Sequence, residues 1–263
     1  MNVYPDLGPR GTTRPITAES LQADLRALGV EAGMLLLVHS ALSQLGWVAG
    51  GPVAVIQALE AVLGRKGTLV MPAHSGDLSD PAQWQHPPVP PAWWPVIRAH
   101  TPAYTPQHTP TWQMGAIVDC FRSLPGVLRS RHPQVSFVAR GPLAARITAN
   151  HQLSPAFGDD SPLGKIYRYD GHVLLLGLDH DNNTSLHLAE YRADYPDKRL
   201  AVNGAPLLLN GERHWVEYKD IDYDNEDFPV LGAAFAAESS RLRQGPAGEG
   251  RAMFMPQRAL VDF

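Results

Sequence analysis

The stretch "MLLLVHSALSQLGWVAGGPVAVIQALEAVLGRKGTLVMP", residues 34–72, decides the fold. It starts with an unbroken apolar run, 34–38, the pattern of a strand buried on both faces. A polar, glycine-rich turn follows. Pro52 then opens a run of helical apolar spacing that Gly64 stops, and "TLVMP" (68–72) reads as a second strand. Strand, loop, helix and strand in close succession form a βαβ unit, whose two strands lie parallel.

Outward from this unit the same rules predict further elements. Residues 18–28 have helical spacing, with Thr17 as N-cap and Gly29 as the stop. "VSFVA" (135–139) and "HVLLLGL" (172–178) read as strands. Asn210-Gly211, inside "APLLLNGERHWVEY", is a hairpin turn that adds an antiparallel edge. The expected class is therefore α/β: a single domain with a central, partly parallel mixed sheet flanked by helices, plus an edge hairpin. Residues 72–112, with ten prolines and four tryptophans, lack periodicity and read as a long ordered loop inserted beside the sheet. Its "HPPVPP" (86–91) fits polyproline II, either as a ligand for an aromatic groove or as part of the loop. Trp84, Trp93, Trp94 and Trp112 favour the loop, because large aromatic residues are expected to be covered.

Composition excludes several classes. A length of 263 residues with 44% apolar and 18% charged residues suits one folded domain and not a disordered chain. The single cysteine, Cys120, rules out an intramolecular disulfide and a Cys-cluster metal site, and no metal is expected. "MNVYPDLGPRGTTRPIT" lacks the basic start and apolar run of a secretory signal, and no segment has the length of a membrane span, so a cytoplasmic protein is expected. A net charge of −4 argues against nucleic acid as the main partner. The charges are unevenly spread. "EYKDIDYDNED" (217–227) holds six acids against one lysine, whereas Arg122, Arg129, Arg131, Arg140, Arg146, Lys165 and Arg168 cluster against only Asp159 and Asp160. One region suits a cation and the other an anion.

Three stretches carry candidate chemistry. In "NTSLHLAEYRA" (183–193), Asn183 or Thr184 caps a helix on which His187 and Glu190 share a face. The pair follows a strand end, where α/β sheets collect their sites, and a carboxylate-oriented imidazole there has the layout of a general base. The alternative is a buried histidine satisfied by its neighbour. "VHSALSQLGWVAGG" (38–51) joins His39, Ser40 and Ser43 to a glycine-rich turn, but matches neither a P-loop nor a GxSxG elbow. In "DIDYDNE", Asp220, Asp222 and Asp224 alternate, so an extended chain would place three carboxylates on one face toward a polycation. A solvated acidic edge is the plainer reading.

Read in order, the chain resembles the aminoglycoside N3-acetyltransferases of the antibiotic N-acetyltransferase family. The resemblance rests on residues 36–75, on "PPVPPAWWPVIRAHTPAYTPQHTPTWQMG", "FRSLPGVLRSRHPQVSFVARGP" and "SPLGKIYRYDGHVLLLGLDHDNNTSLHLAEY", and on "DIDYDNEDFPVLG", together most of 14–232. Ala41 stands where the pattern commonly has a second serine. The resemblance implies one acetyltransferase domain over 1–263, with 72–112 at the substrate site. It implies acetyl transfer from acetyl-CoA to the 3-amino group of a 2-deoxystreptamine ring, conferring antibiotic resistance, by a monomer or homodimer. His187 is then the base, Glu190 its orienter, Thr184 the donor to the thioester oxygen, and His39 a second base or a positioning group. Ser40, Ser43, Arg131, His132 and Ser136 are expected at the coenzyme, and Trp84, Asp220, Asp222 and Asp224 at the aminoglycoside. A Ser/His/Glu hydrolase built on Ser40 or Ser43, and a non-catalytic binder of cationic ligands, are the alternatives.

Overall fold

The computed structural model describes residues 14–196 and 198–263. The amino-terminal reading on residues 1–13 lies outside the described residues. Seven strands build the main sheet: β1 (Leu35–Ser40), β2 (Thr68–Pro72), β3 (Leu128–Arg129), β4 (Phe137–Arg140), β5 (His172–Leu176), β8 (Arg243–Ala247) and β9 (Gly250–Pro256). Two more, β6 (Leu200–Leu209) and β7 (Glu212–Ile221), form a second sheet. The helices are α1 (Ala18–Leu28), α2 (Gly51–Leu63), α3 (Trp94–His100), α4 (Gly115–Arg122), α5 (Ala144–Thr148), α6 (Pro162–Arg168), α7 (Ser185–Arg192), α8 (Phe228–Glu238) and α9 (Gln257–Val261).

The main sheet runs β3-β4-β2-β1-β5-β9-β8. Its centre, β2-β1-β5, is parallel, as the βαβ reading requires, and all the flanking pairs are antiparallel. Thr17 caps α1 through a capping box with Ser20, and left-handed Gly29 ends it. The pleat sorts β1 between two cores. Leu36 and Val38 join α1, α2 and α4 on one face, and Leu35 and Leu37 face the side of Ile147, Leu163 and Leu188 on the other. Chain leaves β1 toward β2 on one side while β5 pairs on the other, so the crevice beyond the carboxyl ends of β1 and β5 is a topological switch point.

Two expectations are corrected. The Asn210-Gly211 hairpin forms, with both residues at positive φ (52° and 87°), but β6 and β7 pair only with each other and do not extend the main sheet. The edge beside β9 is β8 instead. The Pro/Trp segment is not irregular throughout: it contains α3 and three short 3₁₀ turns, and Pro81, Pro91 and Pro95 sit in the first turns of two of these and of α3, where a missing N–H costs nothing. It packs on the hairpin, with Gln83 Nε2 donating to the Val202 carbonyl (2.7 Å) and Tyr104 N to that of Pro206 (2.9 Å). Trp93 and Trp112 remain about half exposed (57% and 50%), contrary to the expected cover.

Candidate active site

A cavity of about 650 Å³ opens at the switch point. Three strand ends supply much of its wall, and the start of α4 supplies another part. β1 delivers His39 and Ser40 and runs into Leu42 and Ser43, β2 delivers Pro72 and then His74, and β5 leads through Asp181 and Asn183 to Thr184. The loop after β5 turns into α7, whose first turn carries His187 into the cavity. Asn183 Oδ1 accepts from Ser185 N (3.2 Å), so Asn183 caps the turn and leaves the Thr184 hydroxyl for another partner. That partner is His39 Nε2, at 3.3 Å.

His187 Nδ1 lies 2.9 Å from Glu190 Oε2. The carboxylate only accepts, so Nδ1 carries a proton and Nε2 is the ring nitrogen left to meet another partner. The imidazole is fixed on its faces as well. Phe157 stacks on it at 4.7 Å and 8°, and Phe228 (4.8 Å) and Tyr223 (5.1 Å) meet it edge-on. Burial, with nearby His187 second, pushes the His39 imidazole down to about 3, and burial does the same to His74. Both are neutral at physiological pH. The site therefore offers one carboxylate-oriented imidazole flanked by neutral hydrogen-bonding groups on a mostly apolar floor. Among the described residues no group of three or more His, Cys, Asp or Glu side chains is placed to hold a metal, and no helix is long and apolar enough to cross a membrane.

Residues 37–263 match the family model described as aminoglycoside 3-N-acetyltransferase. The chain belongs to that family. It is 47% identical over 96% of its length to the SPbeta prophage-derived aminoglycoside N(3')-acetyltransferase-like protein YokD of Bacillus subtilis, 92% of which is covered; the crystal structure of YokD superposes with a TM-score of 0.93, covering 95% of this chain and 92% of that one. It is 36% identical to aminoglycoside N(3)-acetyltransferase VII of Streptomyces paromomycinus, covering 95% of this chain and 90% of the relative. A solved structure of AAC-IIIb, binary with CoASH, matches at 33% identity and a TM-score of 0.83, covering 95% of this chain and 94% of that one.

In this 3-N-acetyltransferase the sequence-predicted residues divide. His39, Ser40, Ser43, Thr184 and His187 come together at one cavity, with Glu190 behind His187. His132 and Ser136 do not. Both are fully buried: His132 Nδ1 accepts from the backbone N–H of Gln134 and Val135, and the Ser136 hydroxyl donates to Ala73 O while accepting from Arg129. Their polar groups are used inside the fold, away from the cavity wall. Arg131 is exposed, outside the cavity wall. Several other members of the basic region are engaged too. Arg129 donates to Ala73 O, and Arg140 and Arg168 pair with Glu60 and Asp160.

The acidic face also fails as drawn. β7 ends at Ile221, so alternation stops after Asp220. Asp220 is 2% exposed and accepts from Ala156 N (2.8 Å), Ile221 N (2.9 Å) and Ser154 Oγ (3.2 Å). It is a structural carboxylate. Asp222 pairs with Arg199 (2.7 Å) and Asp224 accepts from Glu226 N (2.9 Å); both line a separate cleft beside α7. Trp84 is half-buried, donating from Nε1 to Ser79 Oγ, and lies away from both cavities. Sequence reasoning missed His74, Phe157 and Phe228. His74 follows "TLVMP" at a strand end and was findable by the rule that found His39, whereas Phe157 reaches His187 only through the packing of distant segments.

Proposed function

We propose that His187 is the general base of the acetyl transfer and that the 650 Å³ cavity is where it occurs. Transfer of acetyl from acetyl-CoA to an aminoglycoside is the reaction of this family and confers resistance; the roles of individual side chains are the proposal. The observation that carries it is the His187–Glu190 hydrogen bond at 2.9 Å, with the base facing the cavity. As the 3-amino nitrogen bonds to the thioester carbon, Nε2 takes the amine proton, the C–S bond breaks, and the proton passes on to the departing thiolate. Glu190 supports the imidazolium that forms between these events.

Thr184 meets the developing oxyanion if His39 Nε2–H donates to its oxygen, because the threonine proton is then directed into the cavity. Neutral His39 suits this donor role and not that of a base. Ser40 lines the cavity but its Oγ is buried and has no hydrogen-bond partner, whereas Ser43 is exposed in the cavity wall. The Ser43 hydroxyl fits an amide of a pantetheine arm. The orphaned Ser40 hydroxyl weighs against a hydrolase built on that serine, since no base activates it. The cationic sugar is met by carboxylates at the rim: Asp181 in the cavity wall, and Asp222 and Asp224 in the adjoining cleft. The test is thiol release from acetyl-CoA against a panel of aminoglycosides, using the native chain and His187→Ala. Aminoglycoside-dependent turnover that disappears in the variant supports the reading; turnover retained in the variant removes His187 from the mechanism.

A further inference from the structure

Glu190 has two carboxylate oxygens, and the base uses one. The other, Oε1, accepts from the Tyr195 hydroxyl at 3.2 Å. We propose that Tyr195 is a positioning residue of the reaction, the outer member of a Tyr195–Glu190–His187 chain that fixes the carboxylate and sets how strongly it draws the imidazolium. This rests on His187 being the base.

Glu190 stands between two hollows. His187 faces the reaction cavity, and Glu190 and Tyr195 line the larger cleft on the other side of α7. Without a donor on that side, Oε1 would be solvated and the carboxylate free to rotate about its last torsion, where rotamer wells are broad. Tyr195 lies beyond the carboxyl end of α7, on a segment held by Lys198, whose Nζ donates to the carbonyls of Tyr191 (2.9 Å) and Ala193 (2.7 Å). The same ammonium sits 5.6 Å from the Tyr195 ring centroid. The phenol therefore has a prepared place. Burial, then the Glu190 charge and its hydrogen bond, push the phenol up to about 12, with Asp224 and Asp227 adding in the same direction. It stays protonated, and so able to donate, throughout the working range. Arg192, Lys198, Arg199 and Asp222 also face this cleft, so the background field is of mixed sign and is common to parent and variant.

A hydroxyl on Oε1 draws charge from the carboxylate and weakens its hold on a protonated imidazole. Removing it concentrates the charge, so the protonated base persists to higher pH. The test is Tyr195→Phe, which keeps the ring and its packing. Expected are a kcat lower by about threefold to tenfold, the modest net weight of one long, partly solvated hydrogen bond, and an acidic limb of the kcat profile displaced to higher pH. KM for acetyl-CoA should stay within about twofold. In a Glu190→Gln background the same substitution should have no further effect, since the charge it modulates is gone. A Tyr195→Phe profile that coincides with the parent's, or a further loss of the same size in the Glu190→Gln background, overturns the proposal. His187→Ala measured alongside separates the two ideas: if it loses activity while Tyr195→Phe matches the parent, the base stands and only the tyrosine's role falls.

Discussion

Two regions rich in titratable side chains, the ends of β1 and β5 and the end of β7, read alike in the sequence and behave differently in the fold. At the first, His39, Thr184 and His187 come from segments about 150 positions apart and converge, because parallel neighbours end on the same side of the sheet. At the second, Asp220, Asp222 and Asp224 are separated by single residues, yet Asp220 turns into the core while Asp222 and Asp224 line an outer cleft, because the strand that would have aligned them stops at Ile221. Adjacency in sequence is a weak guide to a site when the secondary structure ends inside the motif. Strand order, which turns several strand ends toward one crevice, is the stronger one.

The sharpest test of this contrast is substitution at the two centres. His187→Ala should lower kcat by roughly 10²–10⁴-fold, the usual weight of a general base. Glu190→Gln should cost less, because the imidazole remains. Asp220→Ala should act on the fold first. It strands the backbone N–H groups of Ala156 and Ile221 in a buried setting, and a loss of roughly 2–4 kcal/mol is expected in denaturant unfolding. Activity falls too, since the loop released at Ala156 carries Phe157, the surface on which His187 lies. A stable, inactive Asp220 variant would instead make that carboxylate part of the site and erase the contrast.

A second effect, spread over several buried histidines, is the response to acid. His39 and His74 are held down to about 3 and His132 to about 4, mainly by burial, and His151 lies well below its ordinary value. Unfolded imidazoles bind protons near 6.5. Between these limits the unfolded chain holds more protons, so stability is full above about 6.5 and is lost as pH falls toward about 3. Thermal unfolding should show this slope, and His132→Asn, which keeps an acceptor for Gln134 N and Val135 N, should flatten it.

The βαβ unit was legible because its signals are local: an apolar strand, a proline at a helix start, a glycine stop. α1, α2 and β2 match their sequence boundaries almost to the residue for the same reason. The sheet edge was not legible. β8, "RQGPA", has neither alternation nor β-branched residues and is a strand only because β9 pairs with it. In the site, the His187–Glu190 spacing and the strand-end rule sufficed for one half. The aromatic bed of Phe157, Tyr223 and Phe228 was hidden, since it depends on tertiary packing that no periodicity records. His132 and Ser136 misled in the opposite way. Polar residues in a basic stretch suggest a ligand, but buried backbone groups also need partners, and here they claimed these side chains.

The smallest expected effect belongs to the two acids that remain exposed. Asp224→Asn keeps the acceptor for Glu226 N and removes only charge, so folding should be untouched. If the polycationic acceptor passes this rim, its affinity should weaken by about 0.2–1 kcal/mol at low ionic strength, the value of a single solvated pair, and by less as salt screens the field. Asp222→Asn should do less, because Asp222 already shares its charge with Arg199; its loss, however, frees a cation close to the cleft. Repulsion from the freed Arg199 then adds to the lost attraction only where the guanidinium turns toward the sugar. Calorimetry of aminoglycoside binding at two salt concentrations decides the matter. Should Asp222→Asn exceed Asp224→Asn, the Arg199 pair is the element that tunes entry. Should neither register at low salt, the sugar is held inside the main cavity, and Asp181 becomes the carboxylate to replace.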